Sequence, residues 1–182
     1  MNEQLFLGKL VRLTAFDADK DAETESRWTH DAEYLRLLSP NPARPLSSNQ
    51  IKKKYDEDKE RNRFRFAIRT RAEDRLIGFI HLAWVEWNNG TAFLTLGIGD
   101  AADRGKGCGS DAMEMILRYA FAELNLFRLT TLASEDNPRG LDFFTRRGFQ
   151  IEVRRREAIH REGARCDGLV LGMLKEEWKS QS

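Results

Sequence analysis

Polar and apolar residues alternate along Gly8-Lys9-Leu10-Val11-Arg12-Leu13, the period-two pattern of a half-buried strand. Asp17 and Asp19 follow and open a helix, which the pattern carries from about Asp19 to His30. Three prolines within the six residues Pro40 to Pro45 then forbid regular hydrogen bonding, so Leu38 to Pro45 is a loop. Ser47 or Ser48 caps a second helix of roughly Asn49 to Arg61, whose run Lys52 to Glu60 mixes signs as a solvated face does. Phe64-Arg65-Phe66-Ala67-Ile68 and Leu76 to Val85 have strand character, separated by a charged turn containing Glu73-Asp74. Asn88-Asn89-Gly90 marks the next turn. Asn and Gly both tolerate positive φ, so Thr91 to Gly99 is expected to pair antiparallel with the strand before it.

Period two then gives way to spacings of three and four. From Gly107 to Leu124, residues Met113, Ile116, Leu117, Ala120, Phe121 and Leu124 form one apolar stripe suited to packing on a sheet. Strand character resumes from Phe127 to Ala133. A helix follows over Asn137 to Arg147, which Gly148 ends in left-handed conformation, and strands at about Phe149 to His160 and Arg165 to Leu174 close the chain. The irregular order of the two element types predicts a mixed α+β class.

Bulk properties narrow the picture. A chain of 182 residues is of ordinary size for one domain, taken here as 1–182. Lysine and arginine number 30 against 29 acidic residues, which offers no global field for nucleic acid or an anionic membrane. The runs Arg61 to Arg65 and Arg154-Arg155-Arg156 are accordingly expected to be solvent-facing strand arginines, not a nucleic-acid surface. Cys108 and Cys166 have neither metal-ligand spacing nor the density of a disulfide scaffold, and Met1-Asn2-Glu3-Gln4 has no signal-peptide pattern. A cytoplasmic protein with reduced thiols, no metal and no membrane partner is expected.

The most informative segment is Arg104-Gly105-Lys106-Gly107-Cys108-Gly109-Ser110, which lies between the strand ending Gly97-Ile98-Gly99 and the amphipathic helix. Glycines remove the Cβ atoms that would hold an anion away from backbone N–H groups. The helix N-terminus adds unsatisfied donors and about half a positive charge. Charge-assisted hydrogen bonds of roughly 1.5–3 kcal/mol each would let three or four such donors anchor a diphosphate, with Arg104 and Lys106 adding charge. The Rossmann fingerprint needs G-x-G-x-x-G, and the glycines here fall as G-x-G-x-G; the phosphate loop of NTPases needs G-x-x-x-x-G-K followed by Ser or Thr. Both of those nucleotide sites fail on spacing.

Arg104-x-x-Gly107-x-Gly109 resembles the Q/R-x-x-G-x-G/A motif of the GNAT superfamily of N-acetyltransferases. Asn137 to Phe149 is similar to that superfamily's later element, N-x-x-A-x-x-x-Y-x-x-x-G-F. Ile98-Gly99-Asp100, Leu124 to Leu129, Gly163-x-x-x-Asp167 and Leu171 to Trp178 look like the branch that contains ribosomal-protein alanine and spermidine acetyltransferases. The resemblance covers most of the chain, strongly from about Leu76 onward. It implies a mainly antiparallel central sheet of six to seven strands flanked by about four helices. Acetyl-CoA would be the co-substrate, with its diphosphate on Gly105, Lys106, Gly107, Cys108, Gly109 and Ser110. The strand before the loop would be splayed, so that Gly97, Ile98 and Gly99 offer backbone groups to the pantetheine arm; Asn137 would meet the arm from the other side, and Phe144 would belong to the cofactor site. It further implies an acceptor site near the Pro40 to Ser48 loop, a small-molecule or protein N-terminal amine as acceptor, and a homodimer through the terminal strands.

Acetyl transfer to an amine must deliver a neutral amine, stabilise a tetrahedral oxyanion and release a thiolate. Deprotonating a primary amine of pKa about 10.4 at pH 7 costs about 4–5 kcal/mol. Backbone N–H groups at Ile98 or Gly99 are candidates to polarise the thioester carbonyl. Two positions depart from the family pattern. Phe144 stands where many members carry a tyrosine that protonates the leaving thiolate, which leaves Ser134 as a weak replacement. Phe93 stands where the branch often places a glutamate facing the acceptor, which weakens a polycationic acceptor. Glu86, Glu135 and Asp100 are the remaining candidate bases. Cys108 as an acyl-carrying nucleophile has no histidine motif beside it, since His30, His81 and His160 lie far off in sequence. Trp28, Trp84, Trp87 and Trp178 are core or pocket residues. Two function classes result: an N-acetyltransferase, and a non-catalytic acyl-CoA binder motivated by Phe144 and Phe93.

Overall fold

A computed structural model describes residues 4–59 and 63–178. Seven strands form one sheet in the order β1-β2-β3-β4-β5-β7-β6. The strands are β1 (Val11–Thr14), β2 (Phe64–Thr70), β3 (Leu76–Glu86), β4 (Thr91–Ile98), β5 (Arg128–Ser134), β6 (Gln150–Arg161) and β7 (Ala164–Leu174). All neighbours pair antiparallel except β4 and β5, which are parallel. The hairpin expected at Asn88-Asn89-Gly90 is present, with Gly90 at φ 64° and β4 antiparallel to β3.

Five α-helices flank the sheet, one more than the pattern suggested: α1 (Ala18–Trp28), α2 (Ala32–Leu38), α3 (Ser48–Lys59), α4 (Cys108–Arg118) and α5 (Pro138–Thr145). Asp17 caps α1 and Ser47 caps α3, the latter with Gln50 Oε1 accepting from the Ser47 N–H at 2.9 Å. The addition is α2, whose seven residues stop where the prolines begin. Asp31 caps it by accepting from the Glu33 and Tyr34 N–H groups at 2.9 and 3.2 Å. The end expected for α3 at Arg61 lies outside the described residues. The helix expected over Gly107 to Leu124 changes hand-hold near its end: Tyr119–Glu123 is a π turn, with the Leu124 N–H donating to the Tyr119 carbonyl at 2.9 Å.

One face of the sheet packs α4 and α5 around Met113, Ile116, Leu117, Phe121, Leu94, Leu129, Phe144 and Phe149. The other face receives α1, α2 and α3, and there the expectation of a solvent-facing Arg65 is corrected. Arg65 is a buried ion-pair partner: its side chain is 11% exposed and its Nη2 lies 2.6 Å from Glu25 Oε1. Arg69 forks onto Asp21 at 2.6 and 2.8 Å. Asp21 and Glu25 are four apart on one helix face, and Arg65 and Arg69 four apart on one strand face, so the two pairs fasten α1 across β2. Removing one partner of such a buried pair typically costs 3–5 kcal/mol. Arg154, Arg155 and Arg156 on the edge strand β6 are exposed.

The parallel pair positions the site. β4 and β5 are joined only at Thr91↔Arg128, Ala92↔Leu129 and Phe93↔Thr130. Beyond that point β5 stays with β7 as far as Ser134↔Gly168, and β4 stays with β3 as far as Gly78↔Ile98. The sheet is therefore split, open toward Leu94–Ile98 on one side and Thr131–Ser134 on the other.

Candidate active site

The open end of the split leads to the glycine loop. A single 3-10 turn, Ala101–Asp103, follows β4, and Gly107 is the N-cap of α4. Gly105 and Gly107 sit at φ 74° and 85°, where a side chain would cost roughly 1–2 kcal/mol. The first amides of α4 face out of the turn, as an anion site requires. The carboxylate of Asp111, one turn into α4, accepts from the N–H groups of Lys9, Leu10 and Val11 at 2.9, 2.7 and 2.8 Å. This clamp holds the N-terminal segment across the start of α4, with Leu10 beside Gly107.

Arg104 behaves differently from an added loop charge. Its Nε donates to the Ile98 carbonyl at 3.1 Å and its Nη2 to the Gly99 carbonyl at 2.6 Å, so the guanidinium turns back onto the end of β4. Lys106 is exposed. Burial pushes the Cys108 thiol above its ordinary range, which keeps it protonated and disfavours a nucleophilic role. The Ser110 hydroxyl accepts from Arg147, a cation that sequence analysis missed. Arg147 also lies 3.7 Å over the Phe143 ring and donates to the Phe143 carbonyl at 2.6 Å, tying the end of α5 to the start of α4.

Strand alternation separates the two carbonyl-polarising candidates. The Gly99 N–H donates to the Ile77 carbonyl at 2.9 Å, so it is committed to β3. The Ile98 N–H, one residue earlier, faces the split. Gly99 has no room for a side chain, because a Cβ there would lie 2.0 Å from the Trp28 indole. A methyl on Gly97 would meet Leu38, Phe79 and the Tyr34 hydroxyl at 2.9 to 3.0 Å.

The residues expected from α5 and the strand ends are distributed as follows. Asn137 caps α5, its Oδ1 accepting from the Gly140 N–H at 2.9 Å. Phe144 packs against Phe143 and Phe149 with ring centroids 5.3 and 5.5 Å away and is part of the core. Ser134 lies on the α2 face of the sheet, its Oγ 3.4 Å from Cys166 Sγ, beside a cavity of about 210 Å³ that Leu38 also lines. Glu86 is not brought to the split's open end. One of its oxygens accepts from Asn89 and Thr91 in the hairpin turn at 2.9 and 3.2 Å. Its partner Thr91 is six residues from Gly97 along β4, roughly 20 Å at about 3.3 Å per residue. Glu135 is paired with Arg154 at 2.9 Å.

Sequence analysis also missed Tyr34. Its side chain is 4% exposed, and its hydroxyl has no hydrogen-bond partner among the described residues. It stands beside Gly97 and lines a cavity of about 270 Å³ to which α1, α2, α3, β2 and β3 contribute. Burial drives the phenol far above its ordinary pKa, so it is a permanent donor. The Asp31 cap and the Pro40 stop were the local signs of the helix that carries it.

Comparison with known proteins agrees with this geometry. The profile of the acetyltransferase (GNAT) domain matches residues 11–150. The SPbeta prophage-derived uncharacterized N-acetyltransferase YokL of Bacillus subtilis is 30% identical over 135 residues, 74% of this chain and 75% of its own length. The uncharacterized N-acetyltransferase p20 of Bacillus licheniformis is 25% identical over 161 residues, 87% and 90% of the two chains. In fold, the chain is similar to the spermidine N-acetyltransferase from Vibrio cholerae solved with CoA and spermine. That likeness has a TM-score of 0.82 at 19% identity and covers 92% of this chain and 96% of that one. The split sheet, the glycine loop at its mouth and the match over most of the chain thus have one common explanation: the chain belongs to the GNAT family of acetyltransferases.

Proposed function

We propose that the chain moves an acetyl group from acetyl-CoA, through the split between β4 and β5, to a primary amine held on the α1–α3 face. The observation that carries this reading is the split itself. It has the glycine loop and the N-terminus of α4 at its mouth on one side, and on the other a cavity bordered by the Tyr34 hydroxyl beside Gly97, which has no hydrogen-bond partner among the described residues. The loop amides from Gly105 to Ser110 hold the diphosphate, and the pantetheine arm runs along β4 past Gly97, Ile98 and Gly99. The Ile98 N–H polarises the thioester carbonyl, and the amine attacks directly in a ternary complex. Tyr34 takes the place of a donor on α5, where Phe144 has nothing to give, and donates to the charge that develops as the thiolate leaves. Ser134 and Asn137 flank the far side of the split. Glu25 is not the base, because Arg65 and Tyr55 occupy its two oxygens at 2.6 Å each.

We take residues 1–182 as one such domain and a cytoplasmic location as its setting, in keeping with the two free cysteines. Among the described residues no helix is long and apolar enough to cross a membrane. The edge strand β6, with Ile151 and Val153 exposed, is the surface we assign to self-association.

Gly107→Val tests the loop. Valine at φ 85° is strained, and its Cβ would lie 3.1 Å from Leu10 Cδ1. CoA affinity measured by calorimetry is expected to fall at least about tenfold. Undiminished binding by the folded variant would overturn the assignment. Thiol release with amines, followed in single turnover, separates the enzyme from a non-catalytic binder.

A further inference from the structure

The motif Gly163-x-x-x-Asp167 lies on the hairpin of β6 and β7, and its two ends shape that hairpin. Glu162 and Gly163, at φ 47° and 82°, make a two-residue turn between the paired Arg161 and Ala164, the primed type whose twist suits the strands. Further in, β6 advances four positions, from Arg155 to Ile159, while β7 advances two, between Cys166 and Gly168. Asp167 holds this bulge. Its Oδ1 accepts from the Glu157 N–H at 2.8 Å and its Oδ2 pairs with Arg154 at 2.7 Å. A bulge bends its strand, and the end of the hairpin beyond it meets α2.

Contact is made by Arg161, whose side chain is 12% exposed. Its Nη2 donates to the Arg36 carbonyl at 2.8 Å and to the Ser39 carbonyl at 2.7 Å, and its Nε lies 3.9 Å from Asp136 Oδ2. Arg36 returns the contact through Glu162 at 2.6 Å, but that pair is exposed and largely screened. The last carbonyls of a helix have no partner within it, and Pro40, Pro42 and Pro45 bring no N–H to supply one. A cation from more than a hundred residues along the chain serves Arg36 instead.

α2 needs such a hold. Seven residues are too few to keep a helix by propensity alone, and its N-cap Asp31 is itself 3.5 Å from Arg104 Nη2. Tyr34 and Leu38 are one turn apart on the same side of α2, and both stand where a methyl on Gly97 would touch them. Resting on the acetyltransferase reading above, we infer that Arg161 is a positioning residue. It fixes the C-terminal end of α2, and through it seats the Tyr34 hydroxyl and Leu38 against Gly97 at the acceptor side of the split. A displacement of about 1 Å in a group facing the chemistry can cost about 10²-fold in rate, so the hairpin acts on turnover through α2.

Arg161→Met removes both donated bonds and keeps the apolar stem; Arg161→Gln, whose amide ends short of the carbonyls, takes its place if the methionine variant does not fold. With CoA bound to the full chain, hydrogen exchange of the α2 amides is expected to rise at least about tenfold, one charge-assisted bond's worth, while β2 and β3 exchange as in the parent. Unchanged exchange in α2 would overturn the inference. In thiol release from acetyl-CoA with n-butylamine, kcat should fall about tenfold with CoA affinity unchanged. On a Tyr34→Phe background the same substitution should cost less than about threefold, because the two residues act through one hydroxyl. Equal losses on the two backgrounds would overturn it as well. Full kcat in Tyr34→Phe alone, or a parent that releases no thiol, counts against the acetyltransferase reading, and exchange in α2 then decides the Arg161 assignment by itself.

Discussion

At the scale of single residues, Tyr34 and Phe144 differ in what they can offer the split. Phe144 is a core ring between Phe143 and Phe149, whereas Tyr34 brings a buried hydroxyl to Gly97 without a partner. An unpaired buried donor is ordinarily a cost of about 1–3 kcal/mol, which the fold retains here at the edge of the split. Tyr34→Phe is therefore expected to leave thermal stability equal or slightly raised, and CoA affinity unchanged. The same change should lower kcat by about 10²-fold, as the loss of one donor to developing charge does elsewhere. Pre-steady-state thiol release measures this, and an unaltered kcat would remove Tyr34 from the chemistry. Because burial raises the phenol's pKa far above its usual value, Tyr34 should contribute no ionisation to the pH profile between pH 6 and about 9.

At the scale of elements, the glycine loop depends on the short turn that precedes it. Arg75 at the start of β3 forks onto Asp103 in the Ala101–Asp103 turn at 2.7 and 2.8 Å. The guanidinium holds the Asp103 carboxyl below its ordinary 3.8, with burial opposing. The folded pKa thus lies below the unfolded one. The stabilisation is complete above the unfolded value, about pH 4, and is lost as pH falls through the folded value. Arg75 is half exposed, so the pair is worth only about 0.5–1 kcal/mol. Thermal melts of the parent and Asp103→Asn should differ by a constant few degrees at neutral pH and converge below about pH 4. A gap that persists at pH 2.5 would show that Asp103 acts through something other than its charge.

At the scale of the whole molecule, what could be read from the sequence is what is local. The α4 stripe, the hairpin at Asn88-Asn89-Gly90 and the left-handed Gly148 follow from periodicity and from φ preferences within a few residues, and the structure has all three. The split was expected only through the family resemblance, and no local pattern carries it, because parting β4 from β5 after Phe93↔Thr130 depends on pairings across more than thirty residues of chain. Nor could alternation along β2 say which of its faces a helix would cover, and Arg65 was placed in solvent for that reason. The matching spacings of Asp21 and Glu25 with Arg69 and Arg65 were the available clue. α2 is too short and too close to prolines to register as periodic, which hides the Tyr34 hydroxyl beside Gly97 as well. The motif residues on the loop were legible, but the sequence did not show that Arg104 would face the strand.

That orientation of Arg104 makes the loop and the strand a single lever. Arg104, which opens the glycine loop, also grips the Ile98 and Gly99 carbonyls at the end of β4, just beyond the Ile98 N–H proposed above to face the thioester. Anything that seats the loop therefore also sets the angle of that amide, about where the carbonyl must lie. With the diphosphate on that loop, as proposed, the adenosine diphosphate half of the donor would be a tuning handle for the reacting end, not only an anchor. Acetyl-pantetheine, which lacks that half, should consequently show a reduced kcat at saturation as well as a raised KM, whereas a donor held by independent contacts would lose KM alone.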